Sequence, residues 1–117
     1  MTHSESKTTI APEVLLTIAR LTTCNIDGVS HLTPVPTAVM QRLIKRGHVS
    51  EGVAIQIRDD LVYADLYVVL QNDVNVRDVS RRIQNEVARA ISEMVGMQVG
   101  KVNIHIEDID YPQEAEA

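Results

Sequence analysis

Several absences narrow the chemistry before any pattern is read. The chain holds no Phe and no Trp, so a core must be built from Val, Ile, Leu and Met, and Tyr63, Tyr67 and Tyr111 are the only Phe, Trp or Tyr rings. Stacking platforms for nucleobases are therefore scarce. One cysteine, Cys24, excludes a disulfide within the chain and fits a reducing compartment. The five glycines follow neither G-x-G-x-x-G nor Walker spacing, so no phosphate-cradling loop is encoded. No apolar run approaches the roughly 20 residues that cross a bilayer. Met1 to Lys7 also lacks the apolar centre of a signal peptide. A basic excess is missing as well: 11 Lys and Arg face 16 Asp and Glu, and the net charge of −5 argues against sequence-independent binding to nucleic acid.

What is present fits one domain. A chain of 117 residues with 44% hydrophobic content can bury a real core. Leu61 to Ile109 organises the rest as strand, helix, strand. Leu61–Leu70 is rich in β-branched and aromatic residues, with Asp65 the polar exception. Asn75 is placed to cap the helix, with Asp78 at its third position and Val74 and Val79 spaced to staple its start. Val79, Ile83, Val87, Ile91 and Met94 form its apolar stripe, and Gly96 stops it. Val99 to Ile106 then alternates, with Val102, Ile104 and Ile106 on one face and Lys101, Asn103 and His105 on the other.

The flanking segments are shorter. Residues 1–9 are polar and read as a flexible arm, residues 10–109 as the domain, and residues 110–117 as an acidic, mobile tail. Pro12 suits the first position of a helix running to about Cys24, with Val14, Leu15, Ile18 and Leu21 as its apolar side and Cys24 packed on it. Val29–Leu32 suits a short strand. Pro34 and Pro36 break the chain. Thr37–Arg46 reads as a short helix, with Val39, Met40, Leu43 and Ile44 inward, or as loop through Ser50. Gly52–Arg58 alternates as a strand and joins Leu61 through Asp59 and Asp60 as a hairpin. The expected fold is α+β: a two-layer domain with a small mixed sheet, built from a hairpin and a β-α-β unit, and helices packed on one face.

The other sheet face is where function is expected. Gln56 and Arg58, Tyr63, Asp65 and Tyr67 or their neighbours, and Lys101, Asn103 and His105 are expected there. Tyrosines on an open face are typical of protein contact surfaces. The same residues have plainer explanations for any catalytic pattern. His105 and Glu107 with Asp65 fall short of a zinc ligand set, because His3, His31 and His48 lie in an arm or loops. Asp59 and Asp60 sit where a tight turn favours Asp. On the long helix, Asp78 with Arg82, Glu86 with Arg89 and Arg89 with Glu93 are spaced to neutralise one another.

Taken in order, these motifs resemble the alkaline shock protein family, small bacterial proteins of the envelope stress response. The resemblance spans roughly residues 9–109. It rests on Ile10 and Val14 opening the first helix, Asp27-Gly28-Val29, Gly52-Val53, the apolar strand 61–70, and Val79, Ile83-Gln84 and Val87. Met94-Val95-Gly96-Met97-x-Val99 and Val102-Asn103-Ile104-His105-Ile106 complete it. Asn72-Asp73-Val74 departs from the family's usual Tyr-Gly, and Thr33–Ser50 departs from its glycine-rich stretch. The resemblance implies no catalytic residues and no cofactor. It implies a cytoplasmic protein that self-associates and, in some members, reaches the membrane periphery through a membrane-anchored partner, with no insertion of its own. A different class, a small RNA-binding module, is suggested by a helix on a three-stranded sheet and opposed by the acidic charge and the missing GXXG loop.

Overall fold

The sheet is assembled on one long strand. A computed structural model describes residues 9–43 and 47–111. They form α1 (Pro12–Cys24), β1 (Val29–Leu32), α2 (Thr37–Leu43), β2 (His48–Ser50), β3 (Val53–Arg58), β4 (Leu61–Gln71), α3 (Val76–Val95) and β5 (Gln98–Asp110). β5 runs parallel to β4 along its whole length, from Leu61 opposite Gln98 to Gln71 opposite Asp110. The remaining edge of β4 is shared end to end: β3 pairs antiparallel with residues 61–66, and β1 with residues 68–70. The handover falls at Tyr67, whose N–H donates to the Gly52 carbonyl at 2.9 Å and whose carbonyl accepts from Thr33 N–H at 2.9 Å. β2 pairs with β3. The sheet is mixed, with the expected hairpin and β-α-β unit, and the α+β class is as the sequence indicates.

Local chemistry explains the elements that were legible. Asn75 Oδ1 accepts from Asp78 N–H at 3.0 Å, and Gly96 closes α3 at φ 74° with its N–H on the Ser92 carbonyl. Asp59 and Asp60 turn the hairpin with φ of 52° and 66°, the left-handed pair that a two-residue turn requires. Val74 and Val79 close on Gly28, where an added Cβ would lie 2.8 Å from Val79 Cγ2. The core forms between one face of the sheet and two helices. Val62, Ala64, Leu66, Val68 and Leu70 of β4 meet Leu15, Leu16 and Ala19 of α1 and Val79, Ile83, Val87 and Ile91 of α3.

Several expectations are corrected. On α1 the buried residues are Leu15, Leu16, Ala19 and Thr23, while Val14 is 42% and Leu21 50% exposed. Leu15 is buried as expected and Ile18 packs, partly buried, against the core, but the Val14, Ile18, Leu21 spacing is as helical as Leu15, Ala19, Thr23, so periodicity could not choose between the two rows. Cys24 is exposed and does not pack on the helix. On α3 the four-residue rhythm continues from Ile91 to Val95, which packs on the core, and Met94 is left 70% exposed. α2 is described over Thr37–Leu43, with Met40 exposed; the rest of the expected helix to Arg46, with the inward Ile44, lies outside the described residues, as do the arm through residue 8 and the tail from residue 112. Asp110, expected in that tail, belongs to β5, and β2 is a strand where loop or helix was expected.

One buried group is left without a partner. Thr23 is fully buried, and its Oγ1 finds no hydrogen-bond partner among the described residues. An unsatisfied buried hydroxyl costs more than the methyl group of the same shape that could replace it. Thr23→Val is therefore expected to raise stability by about 1 kcal/mol. Urea unfolding checks this; a midpoint below that of the unaltered protein would show that the hydroxyl is satisfied in solution.

Candidate functional site

Strand alternation lays the site out. The residues of β4 that turn away from the core are Tyr63, Asp65 and Tyr67, and β5 sets Lys101, Asn103 and His105 directly beside them. β3 adds Gln56 opposite Tyr63 and ends at Arg58. All eight expected residues, Gln56 included, therefore share one face, where the other seven separate into two groups.

The first group is Arg58, Tyr63 and Lys101. The Arg58 guanidinium carbon lies 4.3 Å from the centroid of the Tyr63 ring, a cation–π contact worth about 0.5–1 kcal/mol at an exposed position. Pairing of β4 with β5 passes from Val62–Val99 to Tyr63–Lys101, so Gly100 is the extra residue of a bulge. The Tyr63 ring lies against it: a Cβ on Gly100 would be 2.8 Å from two ring carbons.

The second group is more tightly ordered. The rings of Tyr67 and His105 stack with centroids 4.4 Å apart and planes 9° from parallel. Asp65 Oδ1 accepts two hydrogen bonds, from His105 Nε2 at 2.9 Å and from Asn103 Nδ2 at 3.1 Å. The imidazole is thus fixed both by its neighbour's face and by a carboxylate. This group borders a hollow of about 620 Å³, whose far wall is Pro36, Val39 and Arg42 and which Gln56 and Glu107 also line. α1 and α3 keep to the core face, while α2 brings Val39 and Arg42 round to this one.

Tyr67 needs correction as a surface residue. It is 3% exposed, because its ring has His105 on one face and shares the hollow with Pro36 and Val39. Burial first, then the carboxylates of Asp65 and Glu107, raise its hydroxyl above the ordinary value of 10.0, against an opposing pull from Arg42. The unfolded chain releases this proton at the ordinary value and the folded chain only at higher pH. Its contribution is complete below about pH 10 and is lost as pH rises through the folded value. Tyr67→Phe is expected to flatten the alkaline decline in melting temperature; equal slopes in both proteins would assign that decline to another group.

The remaining chemical candidates stay apart. Among the described residues no three His, Cys, Asp or Glu side chains converge as a metal site. His31 Nδ1 lies 3.0 Å from Ser30 Oγ, His48 sits on β2, and Asp110 accepts from Ser30 Oγ at 2.6 Å. Of the expected helix pairs only Arg89–Glu93 is formed among the described residues, at 3.2 Å; Asp78–Arg82 and Glu86–Arg89 are not. Pro36, Val39, Arg42 and Gly100 were missed as parts of this face. The two prolines were a usable signal, since they fix the segment that leads α2 across the sheet.

Known proteins resemble the chain at two levels. It is 29% identical over 120 residues to the uncharacterized protein YqhY of Bacillus subtilis, covering 99% of this chain and 88% of that one. It is 36% identical over 101 residues to the uncharacterized protein Spy1535 of Streptococcus pyogenes serotype M6, covering 86% and 76%. Among solved structures it is similar to a zinc form of a MamM CTD variant, with a TM-score of 0.48 and 10% identity over 86% of each chain, a likeness too distant to argue from. The model of the Asp-23 family, the alkaline shock protein family of cell envelope-related function, matches residues 1–111, and the chain belongs to that family.

Proposed function

We propose that this protein is a non-enzymatic, self-associating component of envelope and alkaline stress tolerance, acting through protein–protein contacts made by the sheet face around His105. It works in the cytoplasm and reaches the membrane periphery through a membrane-anchored partner. The observation that carries this reading is the pre-set geometry of the face. Asp65 and the Tyr67 ring hold His105, and Arg58 is laid over Tyr63, so these side chains lose little freedom when covered. Arg and Tyr are enriched in interfaces for that reason among others. The cell envelope-related function of the family supports the setting, and the partner-borne route to the membrane is what the family resemblance implies.

Arg58→Ala and His105→Ala test the face, because both residues lie outside the core cluster. Each is expected to reduce the size of the assembly seen by light scattering, with a melting temperature within a few degrees of the unaltered protein. Unchanged size in both variants would remove this face from the interaction.

A further inference from the structure

The two free edges of the sheet are unequal. On one side of β4 the edge strands are β1, of 4 residues, and β2, of 3, whereas β5, on the other side, has 13 and pairs only with β4 among the described residues. One side of β5 therefore presents a row of backbone N–H and C=O groups with no strand beside it, the feature that templates pairing with another chain. Gln84 Nε2 donates to one of the strand's carbonyls, that of Val102, at 3.0 Å. That oxygen keeps a second lone pair for another donor.

We infer that β5 pairs antiparallel with β5 of a second copy about a two-fold axis through Ile104, joining the two sheets into one. This names the interface for the self-association proposed above and rests on that reading. The charge along the strand selects the direction. The chain carries a net −5, and Glu107, Asp108 and Asp110 crowd one end of β5 while Lys101 lies toward the other. A parallel partner would set acid beside acid; an antiparallel one sets Lys101 beside the acidic end.

Residue types select the register. Facing residues of an antiparallel pair lie on the same side of the sheet, so the axis must pass through a residue. Centred on Ile104, the pairing sets Val102 against Ile106 and Ile104 against itself on the core side. On the other side it sets Lys101 against Glu107 and Asn103 against His105. Moving the centre to Asn103 puts Val99 opposite Glu107, and moving it to His105 puts Val102 opposite Asp108. The stretch between the bulges, Lys101–Ile106 opposite Tyr63–Val68, is regular and available for a ladder, and Glu107, the extra residue of the second bulge, follows it directly. Ile104 and Ile106 are only partly buried in one copy, and pairing covers what remains. Both copies' Tyr63 and His105 groups then lie on the same side of a continuous sheet.

Sedimentation of the full chain and its charge variants tests the pairing. Lys101 and Glu107 are exposed, so Lys101→Glu and Glu107→Lys leave the core intact. Each reversal, counted twice in a two-fold pair, is expected to weaken dimerisation about tenfold. The double variant K101E/E107K is expected to restore it. In a Cys24→Ser background, Lys101→Cys and Glu107→Cys proteins should form a disulfide-linked dimer when mixed under oxidation and not alone, because like positions lie about 20 Å apart along the strand. If the unaltered protein associates while the reversals change nothing and the mixture does not cross-link, β5 pairing is overturned and self-association stands. A monomeric unaltered protein overturns both.

Discussion

Gly52→Ala is expected to remove about 3 kcal/mol of folding stability, as the sum of a left-handed residue with a Cβ and a forced close contact. Gly52 has φ 87°, where an L side chain is strained. Its added Cβ would lie 2.7 Å from the Thr33 carbonyl oxygen and 2.8 Å from Leu32 Cβ, neither of them the end of a flexible side chain. The crowding follows from the topology. β1 and the β2–β3 turn meet head to head on one edge of β4, and the Gly52 carbonyl also accepts from Tyr67 N–H there. Gly96→Ala provides the comparison: φ is 74° but nothing lies within 4 Å, so only the conformational cost of about 1–2 kcal/mol applies. Urea midpoints for the two variants check this, and a Gly52→Ala loss no larger than that of Gly96→Ala would show the junction to be loose.

Tyr67→Ala is expected to cost about 3–5 kcal/mol, the range for deleting a large buried aromatic ring. The ring is 3% exposed, stacked on His105 and beneath the segment leading into α2, so its loss opens a cavity that rigid strands cannot close. His105→Ala is expected to cost far less, since its side chain is 39% exposed. Thermal melts distinguish the two. A Tyr67→Ala protein as stable as His105→Ala would mean that the ring is solvated and that α2 does not cover it. Because of this cost, Tyr67→Ala is unsuitable for testing assembly, and Arg58→Ala and His105→Ala serve instead.

How much of this was legible depended on whether the cause was local. α3, β4 and β5 carry their signals within themselves: a capping Asn75, a stopping Gly96, and alternation that separates Val102, Ile104 and Ile106 from Lys101, Asn103 and His105. For β5 the membership of the site face follows from that alternation alone, whereas β4, apolar but for Asp65, leaves Tyr63 and Tyr67 or their neighbours open. The geometry of the face does not follow from it, because the His105–Asp65 bond joins residues 40 positions apart. The burial of Tyr67 depends on Pro36 and Val39, about 30 positions earlier in sequence, reaching the same hollow. α1 has two equally helical apolar rows, and only packing against β4 and α3 decides that Leu15 and Ala19 go inside while Val14 and Leu21 stay out. β2 is too short to show a period, and it becomes a strand because β3 lies beside it. Gly100 carries no local signal of the Tyr63 ring that lies against it.

The most direct test of the proposed function is the mass of the intact protein in solution, measured by light scattering over a wide range of concentration at low and high salt. Self-association predicts a mass that rises with concentration to a multiple of the 13.0 kDa chain. A mass that stays at 13.0 kDa across the whole range contradicts it.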